Sequence, residues 1–353
     1  MKRSVNKSGS SVAVDLRALA EYVEQFSSRT IVLFGDFVAD EFEFGEISRV
    51  SREAPVLILR HRETQLVPGG GANAANNFAD LGAKVLPVTV VGDDQNGNAL
   101  IKYFRGKKVD VSRITKVREW TTPTKTRFLA GWAHTVGQQV LRVDREPQQG
   151  LTVAVRDKLR KNLLAAIKGA DALAISDYGF GVATPELALE AATAKRKTAI
   201  PITLDARRQL HAYRRSGITT ATPNEAELEA QHHSAIGQDL TELARAGHST
   251  LSTMKLNALL VTRGRHGIAL FESGKRLTHI PVHGSDQSVD VTGAGDTVLA
   301  TYTLALACGA SALEAAHIAN IAGGLVVMKR GTATISREEL SGAIQREVAG
   351  APG

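Results

Sequence analysis

The segment Asp290-Val-Thr-Gly-Ala-Gly-Asp296-Thr297 runs straight into a long helical pattern. Glycines let a backbone turn tightly and present its N–H groups together. A helix N-terminus behind them adds partial positive charge. The backbone of Gly293, Ala294 and Gly295 is therefore expected to form an anion hole for a phosphoryl group in flight. Asp296 stands at the start of the helix, where a carboxylate takes a proton from an attacking hydroxyl. Taken alone, such a loop reads first as an N-cap aspartate after a glycine turn.

Other segments point the same way. Pro68-Gly69-Gly70-Gly71-Ala72-Asn73 precedes a helical stretch, Ala74 to Leu81. Three glycines permit close approach of a ligand to the backbone, and an asparagine both donates and accepts. Gly35-Asp36-Phe37-Val38-Ala39-Asp40 ends an apolar strand at its carboxyl edge, where ligands sit in open α/β sheets. In Thr222-Pro223-Asn224-Glu225-Ala226-Glu227 the three-residue spacing puts Asn224 and Glu227 on one helix face; the same pair reads as a capping box. Thr262-Arg263-Gly264 closes another strand.

These residues need a scaffold. Asp15 to Phe26 has apolar residues at helical spacing, and Thr30 to Phe34 is a buried-strand run. Strands are expected at Val85–Val91, Ala172–Ile175, Ala199–Leu204, Thr219–Ala221, Ala258–Thr262 and Ile268–Phe271, with helices at Thr152–Ile167, Pro185–Ala194 and Asn224–Gln231. Such alternation predicts an α/β fold, an αβα sandwich with a mostly parallel sheet. Glu41–Val67 and Thr124–Val143 break the rhythm and read as half-exposed strands of a small β lid. Residues 1–29 are expected to be a tail and helix, and 30–345 one domain. The uncharged stretch Thr297–Leu313 is short for a membrane span and reads as one buried helix.

The chain has 353 residues, 43% of them hydrophobic, with 43 basic and 36 acidic side chains and a net charge of +7. This is globular composition and excludes a largely disordered chain. The single cysteine, Cys308, excludes an intrachain disulfide, and no signal-peptide core interrupts the N-terminus. A cytoplasmic protein is the expectation. The basic residues are spread, and short clusters such as Lys107-Lys108 and Arg207-Arg208 read as solvated faces. Neither a nucleic-acid nor a membrane partner is expected. No Gly-x-Gly-x-x-Gly follows the first strand, which argues against a dinucleotide oxidoreductase.

The glycine-rich Pro68–Asn73 segment and Asp290–Thr297 resemble the two signatures of the ribokinase-like, PfkB-type sugar kinases. Asn224/Glu227 and Thr262-Arg263-Gly264 stand where that family has its magnesium-associated and nucleotide segments. The resemblance runs from about Ile31 to about Leu340. Gly45–Val56, Thr122–Arg127, Gln138–Asp144, Ser176–Gly179 and Gly331–Thr334 resemble the D-glycero-β-D-manno-heptose-7-phosphate 1-kinases. That branch makes heptose 1,7-bisphosphate on the way to ADP-heptose for the lipopolysaccharide core. Many of its members carry a fused adenylyltransferase, and this chain is expected to hold the kinase domain alone. Two positions depart from the branch: Phe180 stands where it has Lys, and Asp205-Ala206-Arg207 where it has Asp-Pro-Lys.

The resemblance implies an ATP-dependent kinase with Asp296 as base and Mg²⁺ held by Asn224 and Glu227. It implies that Asp40, Gly70 and Asn73 hold sugar hydroxyls and that Thr262, Gly264 and Asn320 lie along ATP, beside Asn224. Lys125, Arg127, Arg142 and Arg207 are the cations that could meet a sugar phosphate, though lid-strand cations are solvated about as often as they are ligands. A homodimer through the lid is expected. A kinase for another sugar or nucleoside, or a silent sugar-phosphate-binding protein, fits the same motifs.

Overall fold

A computed structural model describes residues 14–131, 138–196, 198–237, 239–284 and 288–350. Its strands in chain order are β1 (Thr30–Gly35), β2 (Phe37–Val50), β3 (Leu57–Gly70), β4 (Lys84–Gly92), β5 (Ile114–Val117), β6 (Thr124–Gly131) and β7 (Gln138–Arg145). They continue as β8 (Ala172–Asp177), β9 (Ile202–Ala206), β10 (Thr220–Ala221), β11 (Ala258–Thr262), β12 (Ile268–Glu272) and β13 (Thr278–Ile280). Nine of them form one sheet in the order β13-β12-β11-β10-β9-β8-β1-β4-β5. From β11 to β5 every neighbour is parallel; β12 and β13 add an antiparallel edge.

The alternation along β1 shows why helices cover both faces. Ile31 and Leu33 join one apolar core, Val32 and Phe34 the other, and all four are fully buried. Helices Leu16–Glu24, Gly71–Asp80, Gln95–Gly106, Ala294–Ala307, Ala312–Val326 and Arg337–Val348 close the first core. Helices Val153–Ile167, Pro185–Ala194, Glu225–His232 and Leu240–Met254 close the second. The fold is therefore an αβα sandwich around a mostly parallel sheet, as the alternation predicts. Among the described residues no helix is long and apolar enough to cross a membrane.

The expected single helix over Thr297–Leu313 is two helices. Gly309, at φ +92°, turns the chain after Ala307, and Ser311 caps the next helix through a capping box with Glu314. The stretch carried no charge to mark the break. The helix expected from Ala74 begins at Gly71, because Gly69 and Gly70 belong to β3.

The other sheet is the lid, in the order β3-β2-β6-β7, with β2 parallel to β6 and the other pairs antiparallel. The lid strands reach beyond the stretches read from sequence, back to Phe37 and on to Gly70. The first residues of β2 are buried, so the charged texture begins only farther along the strand. Residues 132–137 of the expected lid lie outside the described residues.

Candidate active site

The parallel strands bring their carboxyl ends to one edge. Asp36 follows β1, Asp177 ends β8, Asp205 and Ala206 end β9, and Thr262 ends β11. The helix Ala294–Ala307 points its N-terminus into the same region, where Asp296 lines one cavity and Gly295 another. Gly293, at φ +80°, caps that helix. A Cβ on it would fall 2.6 Å from Asn73 Nδ2.

That amide group donates to Asp296 Oδ2 at 2.8 Å, and the Tyr178 hydroxyl faces Oδ1 at 3.4 Å. Asp296 is 5% exposed. Burial pushes its carboxyl up to about 7, while the Asn73 hydrogen bond and the Arg207 charge pull it down. A carboxyl so placed exchanges a proton readily near neutral pH. Of the three N–H groups expected to form an anion hole, that of Ala294 donates to the Val291 carbonyl at 3.3 Å.

Asp40, Gly70, Lys125, Arg127, Arg142 and Arg207 line one cavity of about 90 Å³ together with Gly293 and Asp296. Asn73 stands behind it, against Asp296. The period-two geometry of the lid explains the gathering. Asp40 and Phe42 on β2, Lys125 and Arg127 on β6, and Arg142 and Asp144 on β7 are each two residues apart, so each pair shares a face. The register sets Asp40 opposite Lys125 and Lys125 opposite Asp144.

The four cations are not equivalent. Arg127 donates to Asp40 Oδ1 at 2.7 Å, and its guanidinium lies 5.3 Å from the Phe42 ring. Arg142 is held by Asp144 through two bonds of 2.8 and 2.7 Å. Among the described residues, Lys125 and Arg207 form no salt bridge. Instead they pack on Tyr178, with Lys125 Nζ 5.4 Å and the Arg207 guanidinium 4.5 Å from the ring centre. Lys125 is also 5.9 Å from the ring of Phe180. Burial, and then the Arg207 charge, hold the Lys125 ammonium below its usual range.

A neighbouring cavity of about 630 Å³ shares Lys125, Arg142, Tyr178 and Arg207 and reaches Phe180, Arg208, Asn224 and Glu227. Asn224 and Glu227 do form a capping box: Asn224 Oδ1 accepts from the Glu227 N–H at 2.8 Å, and Glu227 Oε2 from the Asn224 N–H at 2.9 Å. Burial raises the Glu227 carboxyl. Burial, then the charges of Glu227 and Asp296, hold Asp205 well above the usual carboxylate range. Asn224 and Glu227 offer hard oxygen ligands, but among the described residues no three acidic, His or Cys side chains are grouped closely enough to hold a metal ion by themselves, so a Mg²⁺ ion held here would keep several waters.

Thr262, Gly264 and Asn320 line a third cavity of about 350 Å³, with Ala294 and Gly295 at one end and Asn224 shared with the larger cavity. Its walls include Ile268, Val282, Val298 and Val327, an apolar slot suited to a flat ring. Asn320 Nδ2 donates to the Pro281 carbonyl at 2.7 Å, which fixes the adjoining turn.

Asp36, Tyr178 and Asp205 stand inside segments quoted from sequence, but none of them is assigned a role there. The available signal was positional: each lies at or just beyond the carboxyl end of a predicted apolar strand.

Comparison with known proteins follows this geometry. Residues 29–339 match the family described as pfkB family carbohydrate kinase. The chain is 39% identical over 313 residues to the bifunctional protein HldE of Geobacter metallireducens, covering 89% of this chain and 62% of that protein. It is 37% identical over 326 residues to that of Pseudomonas aeruginosa, covering 92% and 65%. The chain thus spans less than two thirds of the length of these relatives. Its fold is similar to that of Arabidopsis thaliana ribokinase complexed with ribose and ATP, with a TM-score of 0.70, 20% identity, and coverage of 90% of this chain and 99% of that one. For Escherichia coli phosphofructokinase-2 the TM-score is 0.72, with 21% identity and coverage of 90% and 98%. The family match extends over the whole parallel sheet, the lid and the Asp296 loop, and the chain belongs to the pfkB family of carbohydrate kinases.

Proposed function

We propose that this enzyme transfers the γ-phosphoryl group of ATP to O1 of D-glycero-β-D-manno-heptose 7-phosphate, giving the 1,7-bisphosphate. The observation that supports a phosphorylated acceptor is the Lys125–Tyr178–Arg207 stack beside the Asp296 pocket, two cations that form no direct salt bridge among the described residues. The heptose reading draws on the resemblance to the heptose-7-phosphate kinases and on the HldE relatives.

In this reading the sugar lies under the lid with its hydroxyls on Asp40 and the Gly70 backbone. Asn73, expected from sequence to hold a sugar hydroxyl, is fully buried behind the cavity and out of reach of a sugar, and positions Asp296 instead. Asp296 accepts the proton of O1 as that oxygen attacks phosphorus. The N-terminus of helix Ala294–Ala307 faces the phosphoryl group in flight. ATP lies in the apolar slot along Thr262, Gly264 and Asn320, with Asn224 near its phosphates. Glu227 and Asn224 would hold Mg²⁺ through water, and the ion, when bound, neutralises phosphate charge. The product lies on the way to ADP-heptose, and its 7-phosphate must be removed before adenylyl transfer to the 1-phosphate can give that compound.

An ADP-release assay with ATP and Mg²⁺ across heptose 7-phosphate, fructose 6-phosphate, ribose, fructose and adenosine tests this. Heptose 7-phosphate is expected to give the highest kcat/KM by about tenfold or more, the scale of one charge-assisted contact. Equal turnover of an unphosphorylated sugar or of adenosine overturns it.

The lid is also proposed to pair with that of a second copy. Val50, Val56, Leu57, Val140, Leu141 and Val143 are between 41% and 60% exposed, and every residue of β7 is exposed. Strands β3 and β7 are the lid's two edges. Uncovered apolar strands of this kind seek a partner. Sedimentation at micromolar concentration is expected to show a dimer. A monomer there rules the pairing out.

A further inference from the structure

We infer that Asp36 is a positioning residue that builds the acceptor pocket, its carboxylate holding the loop that carries Tyr178 and its backbone holding the turn that carries Asn73. The inference rests on the reading of Asp296 as the base, because those two side chains are the ones that meet its carboxylate.

Asp36 is the single residue between β1 and β2 and is 1% exposed. Its Oδ2 accepts from the backbone N–H groups of Tyr178 at 2.8 Å and Phe180 at 3.1 Å. Its Oδ1 accepts from that of Val182 at 3.0 Å. Its own N–H donates to the Ser176 carbonyl at 3.0 Å, and its carbonyl accepts from the Gly71 N–H at 2.9 Å. The last contact leaves no room: a Cβ at position 71 would stand 2.8 Å from that carbonyl oxygen. One residue therefore ties together two segments more than 100 positions apart in the chain.

Each segment then delivers one group to the base. Asn73 lies in the first turn of helix Gly71–Asp80, two residues after the one that bonds Asp36. Tyr178 carries both the hydroxyl that faces Asp296 and the ring on which Lys125 and Arg207 pack. A charged acceptor is required, because three N–H donors converge on two oxygens and an amide would turn an NH₂ toward some of them. Burial and the nearby Asp177 carboxylate raise Asp36 to about 6 against the pull of those three bonds. None of the residues Asp36 bonds lines the nucleotide slot.

The role thus predicts a split between the two ligands. Asp36→Asn and Asp36→Ala are compared with the whole wild-type chain by ADP release, by calorimetric titration with ATP, and by amide hydrogen exchange. For Asp36→Asn, the KM of the best acceptor is expected to rise and kcat to fall, each by about tenfold or more, the cost of a small misplacement near the chemistry. The ATP dissociation constant stays within about twofold. Exchange over 178–182 accelerates, and exchange in helix Ala312–Val326 does not. Unchanged acceptor kinetics in a folded variant overturn the inference, as does an equal loss of ATP and acceptor binding. If neither variant folds, the wild type still decides: Phe180 and Val182 amides exchanging as freely as an exposed loop overturn it, and protected ones support it. A wild type that phosphorylates no acceptor sinks the catalytic reading and with it the pocket this inference describes, whereas the exchange data alone report on the clamp.

Discussion

Replacing Asp296 with Asn lowers turnover by about 10²- to 10⁴-fold, the contribution of a general base, and leaves ATP and the sugar phosphate bound. The substitution keeps the local bonds. An amide oxygen at position 296 still accepts from Asn73 Nδ2, and its NH₂ can donate to the Tyr178 hydroxyl. What disappears is the capacity to take a proton. Kinetics of ADP release, with ATP affinity measured separately, decide the matter. A variant within about threefold of wild type removes Asp296 from the chemistry.

The same residue sets a pH dependence. Burial raises the Asp296 carboxyl to about 7, so the base is ionised above that pH and protonated below it. Wild-type kcat/KM is expected to fall as pH drops through about 7, and Asp296→Asn to lose that limb. Stability runs the other way. Between the usual carboxylate range and about 7 the folded chain holds a proton that the unfolded chain has released. Stability contributed by this group is therefore lost as pH rises through that window. Asp296→Asn removes a buried charge and is expected to melt no lower than wild type at pH 8.

How much of this was legible in the sequence depended on distance along the chain. The Asp290–Thr297 loop is contiguous, so its turn, its glycines and its helix start could be read together. The parallel sheet was legible because each apolar run is local and the βα rhythm repeats. The break at Gly309 was harder, since no charge or proline marks it and the apolar composition continues on both sides. Relations between strands were not legible. That Arg127 meets Asp40 follows from the register of β2 and β6, whereas the Arg142–Asp144 pair is two residues apart on β7 alone. That the Tyr178 N–H meets Asp36 follows from the adjacency of β1 and β8, and that its hydroxyl faces Asp296 follows from the packing of helix Ala294–Ala307 on β8. Sequence placed four cations in one list; only the fold divides them into two held in direct salt bridges and two packed on an aromatic ring.

That division carries the last prediction. Arg207→Ala and Lys125→Ala are each expected to raise KM for the sugar phosphate by about 10- to 100-fold, as the loss of a charge-assisted hydrogen bond worth roughly 1.5–3 kcal/mol requires. KM for ATP should stay near the wild-type value, because neither residue lines the nucleotide slot. Stability separates a ligand-binding cation from a structural one. Lys125 and Arg207 repel each other across Tyr178, so Lys125→Ala relieves that repulsion and should cost little in folding, whereas Arg207→Ala also removes the charge that offsets Asp205, Glu227 and Asp296. Arg127→Ala is the contrasting case. It strips Asp40, which is 6% exposed, of its partner and leaves a buried carboxylate uncompensated, so that variant should lose stability. Urea melts of the three variants, beside acceptor kinetics at two salt concentrations, test the whole pattern. If Lys125→Ala and Arg207→Ala weaken an unphosphorylated sugar as much as a phosphorylated one, the pair does not read phosphate, and the acceptor belongs to another class.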